Sequence, residues 1–443
     1  MKKEDNINNV LFALRKEYFG GLLLDYKRCD FVILNYHEFS FLNELIVQKS
    51  ILINEKISTK LIKTLEKLKI ININSSKITL LDKIRKIPDK NMSLKSYLSA
   101  PLKVYDTYTN QCNLACSHCY ASAKPNFTEK RRTIAETRRI IKKFYKIGVM
   151  EWNFTGGEPS TASDLFKSID IAKEFNMKVT LNTNGCWSNM VYKDIANHKI
   201  DTIVISLDGD EKLHDERRGR GTFKKVLKTL NFIKNHNSNW RPKVILNVSI
   251  GRDNITCIDF VINLAVEYGH DIKFVPIRAG GRASKGLVLC TEEYRKFANT
   301  IYTYGNDHIV KKRGIKISLN HQNLFSKENK NISKNPYPFN FSQCTALTTS
   351  IDILPDGKVV ACSFVMGNKD FTGMNIKNKS VYSAWNDPKM QKFRESEKEK
   401  CKTCKFYKKR CRGVCRSNIL LNGGSIASGK IIGEDVYCFR DLL

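Results

Sequence analysis

The stretch that decides the fold runs from residue 104 to 120. It reads Val104-Tyr105-Asp106-Thr107-Tyr108-Thr109, then Asn110 and Gln111, then Cys112-x-x-x-Cys116-x-x-Cys119 with Tyr120 behind it. The first six residues are rich in β-branched and aromatic side chains and predict a strand. The cysteines follow directly on its carboxyl end. Three thiolates on one tight loop can hold three corners of a cubane [4Fe–4S] cluster, leaving the fourth iron without a protein ligand. A structural zinc ordinarily takes four closed ligands. His118 is a poor candidate for the fourth, because it adjoins Cys119 and is hard to aim inward.

Outward from this stretch, strands and helices alternate. Strands are expected at Val104–Thr109, Glu151–Thr155, Lys178–Asn182, Thr202–Leu207, Lys243–Ser249 and Ile272–Pro276. Helices are expected near Thr133–Lys146, Ser163–Asn176, Met190–Asn197, Phe223–His236 and Thr256–Tyr268. Six strands joined by crossover helices imply a parallel sheet, either open and doubly wound or curled as a partial barrel. In both cases ligands bind at the carboxyl ends of the strands. Asn110, Gly156-Gly157-Glu158, Asn182-Thr183-Asn184-Gly185 and Asp208-Gly209 gather there.

Two other regions flank this core. Residues 1–90 show short apolar runs (Gly21–Leu24, Phe31–Asn35), then helices over about His37–Gln48 and Lys56–Leu68. That order suggests a small α+β module of winged-helix size, followed by a polar linker over Pro88–Ser99. After residue 290 a helical bridge (about Thr291–Arg313) leads through residues to 338 into a short, Cys-rich end, 339–443, the composition of a metal-organised domain.

Composition sets the compartment. The 443 residues are 42% hydrophobic and 27% charged, a soluble composition with no run approaching the ~18 apolar residues of a membrane span. The amino terminus lacks the apolar segment of a signal peptide, so a cytoplasmic protein with reduced thiols is expected. Fourteen cysteines there call for metal rather than disulfides. The formal charge of +31 divides as +6, +17 and +8 over residues 1–90, 91–338 and 339–443. This even spread does not mark a nucleic-acid face, and at most favours an acidic peptide partner.

The cysteine loop with Tyr120, the Gly156-Gly157-Glu158-Pro159 turn, and Ile205-Ser206-Leu207-Asp208-Gly209 together resemble the radical S-adenosylmethionine (SAM) superfamily. The resemblance implies a partial (β/α)6 barrel. It also implies a cluster on Cys112, Cys116 and Cys119 whose open iron chelates SAM, and a 5′-deoxyadenosyl radical that abstracts a substrate hydrogen. Residue by residue, it gives Gly156 and Gly157 backbone contacts to the SAM ammonium, which Glu158 also attracts. Thr183 stands at the third-strand turn, and Ser206 and Asp208 at the ribose and methionine moiety. Arg218 is assigned to the SAM carboxylate and Tyr120 to the adenine.

The carboxyl-terminal cysteines (Cys344, Cys362, Cys401, Cys404, Cys411, Cys415 and Cys438, with Gly357 between the first two) resemble the SPASM domain of peptide-modifying radical SAM enzymes. That likeness implies two auxiliary [4Fe–4S] clusters, for three in all. Cys401, Cys404, Cys411 and Cys438 would close the outer one. Cys344, Cys362 and Cys415 would hold the inner one, without the eighth cysteine that fuller versions carry, since residues 338–343 contain none. A zinc ribbon on Cys401, Cys404, Cys411 and Cys415 is the rival, but seven thiolates suit two clusters better than one zinc. Cys29, Cys186, Cys257 and Cys290 are left over and are expected as buried small hydrophobes.

Relatives of this kind often begin with a winged-helix-like recognition element that binds the leader of a ribosomally made precursor peptide by strand addition. Residues 1–90 are similar in length and order. The edge near Asp25–Val32 and the helix with Lys56, Lys60, Lys63 and Lys67 are the expected leader contacts. The resemblance therefore implies a peptide maturase that forms a thioether or carbon–carbon crosslink, reduced by flavodoxin or ferredoxin, with no membrane partner. A thioether is favoured, because an open auxiliary iron offers a place for an acceptor thiolate. Arg278 and Arg282 are expected to face the substrate cavity. The alternatives are oxidation of a protein Cys or Ser in the manner of anaerobic sulfatase maturation, and an iron–sulfur winged-helix DNA-binding redox sensor.

Overall fold

The computed structural model describes residues 10–52, 57–74, 77–89, 97–236, 240–319, 344–404 and 413–438. Lys56, Cys411 and the stretch 338–343 lie outside the described residues.

An antiparallel meander comes first: β1 (Phe12–Glu17), β2 (Gly20–Asp25) and β3 (Asp30–Leu34). Helix α1 (Tyr36–Gln48) starts at a capping box, in which Asn35 accepts from the Glu38 backbone N–H and the Glu38 carboxylate accepts from that of Asn35. Then come β4 (Ser50–Leu52), α2 (Thr59–Lys67), the hairpin β5 (Ile71–Asn74) and β6 (Lys77–Leu80), and β7 (Ile84–Lys86). β7 returns beside β1, giving the order β3-β2-β1-β7, while the hairpin joins β4 in a second sheet. Alternation along the strands makes the first sheet two-sided. Phe12, Leu14 and Leu23 pack with Leu42, Leu45 and Leu61 in the module's own core. Ala13, Leu22, Leu24 and Tyr26 face the opposite way, into the main core with Tyr145 and Ile147.

Buried Arg15 pins this module to the next region. Its Nε donates to Glu17 at 2.7 Å and its Nη1 donates to the carbonyls of Ile147 and Pro101. The end of the expected linker is packed rather than free: Leu98 is fully buried, and its carbonyl accepts from Trp385 Nε1 at 2.9 Å.

The central region follows the expected alternation. Its strands are β8 (Lys103–Thr109), β9 (Glu151–Gly156), β10 (Lys178–Thr183), β11 (Thr202–Ser206), β12 (Lys243–Ile250) and β13 (Asp271–Pro276). They pair in parallel and in sequential order. The helices between them are α3 (Ile134–Lys146), α4 (Leu165–Glu174), α5 (Asn189–Asp194), α6 (Glu211–Arg218), α7 (Thr222–Asn235) and α8 (Ile258–Tyr268). α6 was not foreseen, because its sequence, Glu211 to Arg218, is almost wholly charged.

Both edges of this sheet are extended. After α9 (Thr291–Asn306) and α10 (His308–Lys312), β14 (Ile317–Leu319) pairs in parallel with β13. The segment read as a bridge thus supplies a seventh parallel strand. On the other side β15 (Ser350–Ile353) pairs in parallel with β8. β16 (Lys358–Val360) and β17 (Thr372–Asn375) continue antiparallel into one ten-stranded sheet. Helices α11 (Val381–Trp385), α12 (Pro388–Glu395), α13 (Glu399–Lys402) and α14 (Arg416–Leu421), with the hairpin β18 (Ser425–Ala427) and β19 (Lys430–Ile432), complete the described chain.

Among the described residues no helix is long and apolar enough to cross a membrane. Of the four leftover cysteines, Cys186 and Cys257 are buried and Cys29 is partly buried. Cys290 departs from the expectation and is exposed. It stands at the amino-terminal cap of α9, where its backbone N–H donates to Glu293 at 2.7 Å.

Candidate active site

A cavity of about 370 Å³ opens at the carboxyl ends of β8 to β13, a size in the range that encloses a small-molecule ligand. Cys112, Cys116 and Cys119 line one wall, with Tyr120, Gly156, Gly157, Thr183, Ser206 and Arg218. Cys344, Cys362 and Cys415, from the far end of the sequence, line the same cavity.

The cysteine loop is held on several sides. The Cys112 N–H donates to Lys124, and the Ser117 N–H to the Arg217 carbonyl. Arg282 clamps the loop, its Nε donating to the Cys116 carbonyl at 2.8 Å and its Nη2 to that of Ala123 at 2.7 Å. Arg282 is therefore a brace behind the cluster loop rather than a cavity residue, whereas Arg278 does line the cavity. Gly281 makes this contact possible. Its φ is +59°, and a Cβ there would fall 2.3 Å from the Cys119 carbonyl oxygen.

The Gly156-Gly157 turn has a similar cause. Gly156 has a φ of +136°, and a Cβ on it would lie 2.2 Å from the Thr109 oxygen; one on Gly157 would lie 2.1 Å from that of Gln111. These glycines let β9 approach the start of the cysteine loop, and the cavity wall follows from that approach.

Glu158 was expected to attract the SAM ammonium, yet it stands behind the wall, fully buried. Its Oε1 accepts from the Ser160 N–H (3.2 Å), the Ser160 hydroxyl (2.7 Å) and the Thr183 hydroxyl (2.9 Å), and its Oε2 accepts from the Asn184 N–H (2.7 Å). Four donors and no acceptor suit the ionised carboxylate, though burial pushes its pKa up. Glu158 thereby locks the end of β10 to the β9 turn. Asn184 passes this order on: its Nδ2 donates to the Asn113 side chain at 2.7 Å and points at the Cys112 sulfur at 3.8 Å.

Asp208 is also fully buried, and holds rather than touches. Its Oδ2 accepts from Arg218 Nε at 2.6 Å and lies 3.1 Å from His118 Nε2, while its Oδ1 accepts from the Ser249 N–H at 2.9 Å. The Arg218 guanidinium and His118 hold the Asp208 carboxyl well below the usual carboxylate range. Arg218 itself reaches the cavity wall, so a fixed cation faces inward beside the cysteines. Tyr120 does not stand alone. Its ring centroid lies 4.9 Å from that of Phe364, over which the Arg278 guanidinium sits at 4.3 Å.

The carboxyl-terminal cysteines fall into two groups. Burial pushes the Cys344 thiol up, and neighbouring Cys415 adds to the shift; Cys362 feels Cys344 in the same way. Burial also raises Cys401, with Cys438 and Cys404 as neighbours. Asp435 links the two groups: its carboxylate accepts from the Cys415 N–H at 2.7 Å, and its backbone carbonyl accepts from the Cys438 N–H at 2.9 Å. All described cysteines are free thiols. Three thiols on one cavity wall, with Asn184 Nδ2 and the Leu114 N–H (3.4 Å) aimed at the Cys112 sulfur, form a donor set suited to a cluster with one corner left open. Sequence reasoning missed the roles of Asn184 and Arg282, whose only signal was adjacency to motif residues.

Known proteins resemble this chain in sequence and in fold. Residues 107–255 match the Radical SAM superfamily, and residues 344–406 match SPASM, an iron–sulfur cluster-binding domain. The mycofactocin maturase MftC of Mycolicibacterium smegmatis is 25% identical over 336 residues, 74% of this chain and 81% of its own length. Streptococcus suis SuiB, solved bound to its precursor peptide SuiA, superimposes with a TM-score of 0.70 at 19% identity, covering 96% of this chain and 98% of SuiB. The structure of anSMEcpe with bound AdoMet gives 0.59 at 17% identity, covering 77% of this chain and 95% of its own. Residues 107–255 thus form a Radical SAM domain, and residues 344–406 a SPASM domain that follows the parallel-sheet core.

Proposed function

We propose that this protein is a peptide maturase: it installs a crosslink, thioether or carbon–carbon, in a ribosomally synthesised precursor. One observation carries this reading, the single cavity that Cys112, Cys116 and Cys119 share with Cys344, Cys362 and Cys415. A [4Fe–4S] cluster with SAM on its open iron supplies a 5′-deoxyadenosyl radical, and auxiliary clusters supply a one-electron acceptor. Cys112, Cys116 and Cys119 would hold the cluster that binds SAM, and Cys344, Cys362 and Cys415 one that would take up an electron, so a substrate lodged in this cavity would lie between the hydrogen-abstracting and the electron-accepting chemistry. MftC and SuiB, as maturases or binders of a precursor peptide, support the same class of substrate.

The residues then take definite roles. Cys112, Cys116 and Cys119 hold the SAM cluster. Arg218, fixed by Asp208, meets the SAM carboxylate, Ser206 its ribose, Tyr120 its adenine, and the Gly156-Gly157 backbone its ammonium. Thr183 and Glu158 set the shape of the turn. Cys344, Cys362 and Cys415 hold the inner auxiliary cluster, and Cys401, Cys404, Cys438 and Cys411 the outer one. Residues 1–90 form the leader-binding module, 100–290 the radical core and 339–443 the SPASM domain, in a cytoplasmic protein reduced by flavodoxin or ferredoxin.

In the amino-terminal module the first sheet ends at β3 on one side and at β7 on the other, and α1 packs on β2 and β3. The lysine-bearing α2 packs on β5 instead, which makes α1 rather than α2 the neighbour of an added leader strand.

The test is anaerobic reconstitution followed by SAM and dithionite. About twelve irons per chain, 5′-deoxyadenosine, and loss of two hydrogens from a co-expressed precursor support the reading. Zinc in place of iron, or a precursor of unchanged mass despite SAM cleavage, refutes it.

A further inference from the structure

Lys273 is a cation in the cavity that nothing described answers. It lies on β13 and lines the cavity, and no hydrogen bond or ion pair to another described residue holds its ammonium. The acid beside its neighbour Lys103 and the acid in the cavity lining are both engaged with other groups. Glu151 pairs with Lys103 at 2.9 Å and accepts from the Thr180 hydroxyl at 3.1 Å. Asp352 accepts from both the Ser363 N–H and its hydroxyl. Arg278, the other inward cation of this corner, is buried beside Cys415 and Cys362, and its Nη1 donates to the Pro276 carbonyl at 3.3 Å.

Sheet register gives Lys273 defined neighbours. β11 and β12 pair Ser206 with Asn247, and β12 and β13 pair Asn247 with Lys273. Ser206, Asn247 and Lys273 therefore stand side by side on one level, all lining the cavity. At ~4.8 Å between strands, Lys273 is about 10 Å from Ser206. The Asn247 side chain is likewise unengaged among the described residues. An ammonium beside a free carboxamide N–H₂ is a donor pair shaped for the two oxygens of one carboxylate.

We propose that Lys273 and Asn247 form a subsite for a carboxylate of the peptide substrate, holding the residue to be modified on the level of the SAM-facing Ser206. This rests on the maturase reading and adds a substrate chemistry to it: an acidic side chain, or a free carboxyl terminus, at the modified position. Lys273 is partly withdrawn from water in the cavity wall, and a cation so placed without a counter-ion is unfavourable, a cost that an incoming carboxylate lowers. Burial, with Lys103 and Arg278 as like-charged neighbours, holds the Lys273 ammonium down at about 8, so an anion that restores its charge binds with that gain.

The test uses the reconstituted, SAM-loaded protein and needs no precursor. Acetylation of Lys273 in a short anhydride pulse is followed by peptide mass spectrometry, with exposed Lys224 as the internal reference. Three probes are compared: Ac-Gly-Glu-Gly-amide, Ac-Gly-Gln-Gly-amide and Ac-Gly-Gly-Gly with a free carboxyl end. We expect at saturation about tenfold slower labelling of Lys273, but not Lys224, with a carboxylate probe and none with the glutamine probe. Protection by the Glu probe identifies a side chain, and by the third probe a chain terminus. Equal effects of Glu and Gln probes, no protection by any, or full protection by SAM alone overturns the subsite. Equilibrium dialysis adds a second readout: Lys273→Arg should retain the protecting probe and Lys273→Gln should lose it, and retention by Lys273→Gln again overturns it. 5′-Deoxyadenosine production in the same preparation reports separately on the radical SAM reading, so the two failures are distinguishable.

Discussion

Replacing Glu158 by glutamine separates a residue that touches SAM from one that shapes its pocket. The buried carboxylate accepts four hydrogen bonds, and glutamine offers one oxygen and one N–H₂. In one orientation the N–H₂ confronts the Asn184 N–H, and in the other it confronts the Ser160 N–H. Either way a buried backbone donor loses its acceptor, at about 1–3 kcal/mol. The surviving bonds lose their charge assistance, roughly half their strength. The sum is about 2–4 kcal/mol, which at ~2–4 °C per kcal/mol for a domain of this size lowers Tm by about 4–16 °C. Anaerobic calorimetry on reconstituted wild type and Glu158→Gln measures it. Because the same bonds fix Asn184 near the Cys112 sulfur, SAM cleavage should fall together with Tm. An unchanged Tm with selectively weaker SAM binding would refute this reasoning, and would return Glu158 to the ammonium contact expected from sequence.

Other outcomes follow from the same geometry. Cys112→Ala should abolish 5′-deoxyadenosine while iron falls from about twelve to about eight per chain, since the carboxyl-terminal thiols are untouched. Gly157→Ala places a methyl group against the Gln111 backbone, which cannot yield without moving the cysteine loop; we expect about 1–3 kcal/mol lost and a weakened cluster signal by electron paramagnetic resonance. His214 is buried, its Nδ1 accepts from the Asp208 N–H, and burial with nearby Arg218 holds its pKa down at about 4. A lowered histidine pKa means the unfolded chain binds the proton more readily. Stability is then full above about pH 6.5 and falls by about 3 kcal/mol on approach to pH 4. His214→Gln should remove that component from the denaturation profile, and an imidazole titrating at 6.5 by NMR would contradict it.

The sequence carried the six central strands and the motif residues because both obey local rules. Period and spacing mark β8 to β13, and thiols, paired glycines and an acidic turn mark the carboxyl ends. It did not carry what depends on distant partners. Arg282 reads as one more basic residue until the fold brings it under the Cys116 carbonyl. Glu158 and Asp208 sit in the expected motifs, but only the packed structure shows their oxygens turned to Thr183, Asn184, Arg218 and His118 rather than to the cavity. Residues 317–319 and 350–353 are too short and too ordinary in pattern to announce strands, and their pairing partners lie 45 and about 250 residues away.

The pairing of β15 with β8 links stability to chemistry. β8 is the first strand of the parallel core and would otherwise present an open edge, a liability in any sheet. β15 covers it, with Ser350 opposite Lys103 and Ile353 opposite Asp106. The same ladder fixes where two sets of thiols can be, because β8 runs directly into the Cys112 loop and β15 turns through β16 into Cys362. Asp352, on β15, reaches across this turn to hold Ser363 next to Cys362. Tyr120 meets Phe364 at the seam. An edge closed by hydrogen bonds thus holds the two groups of cysteines on one cavity at a separation set by neighbouring strands. Cutting the chain between the regions would uncover the edge of β8 and dismantle one wall of the cavity at once, so the two sets of thiols are parts of one folded site rather than of two tethered ones.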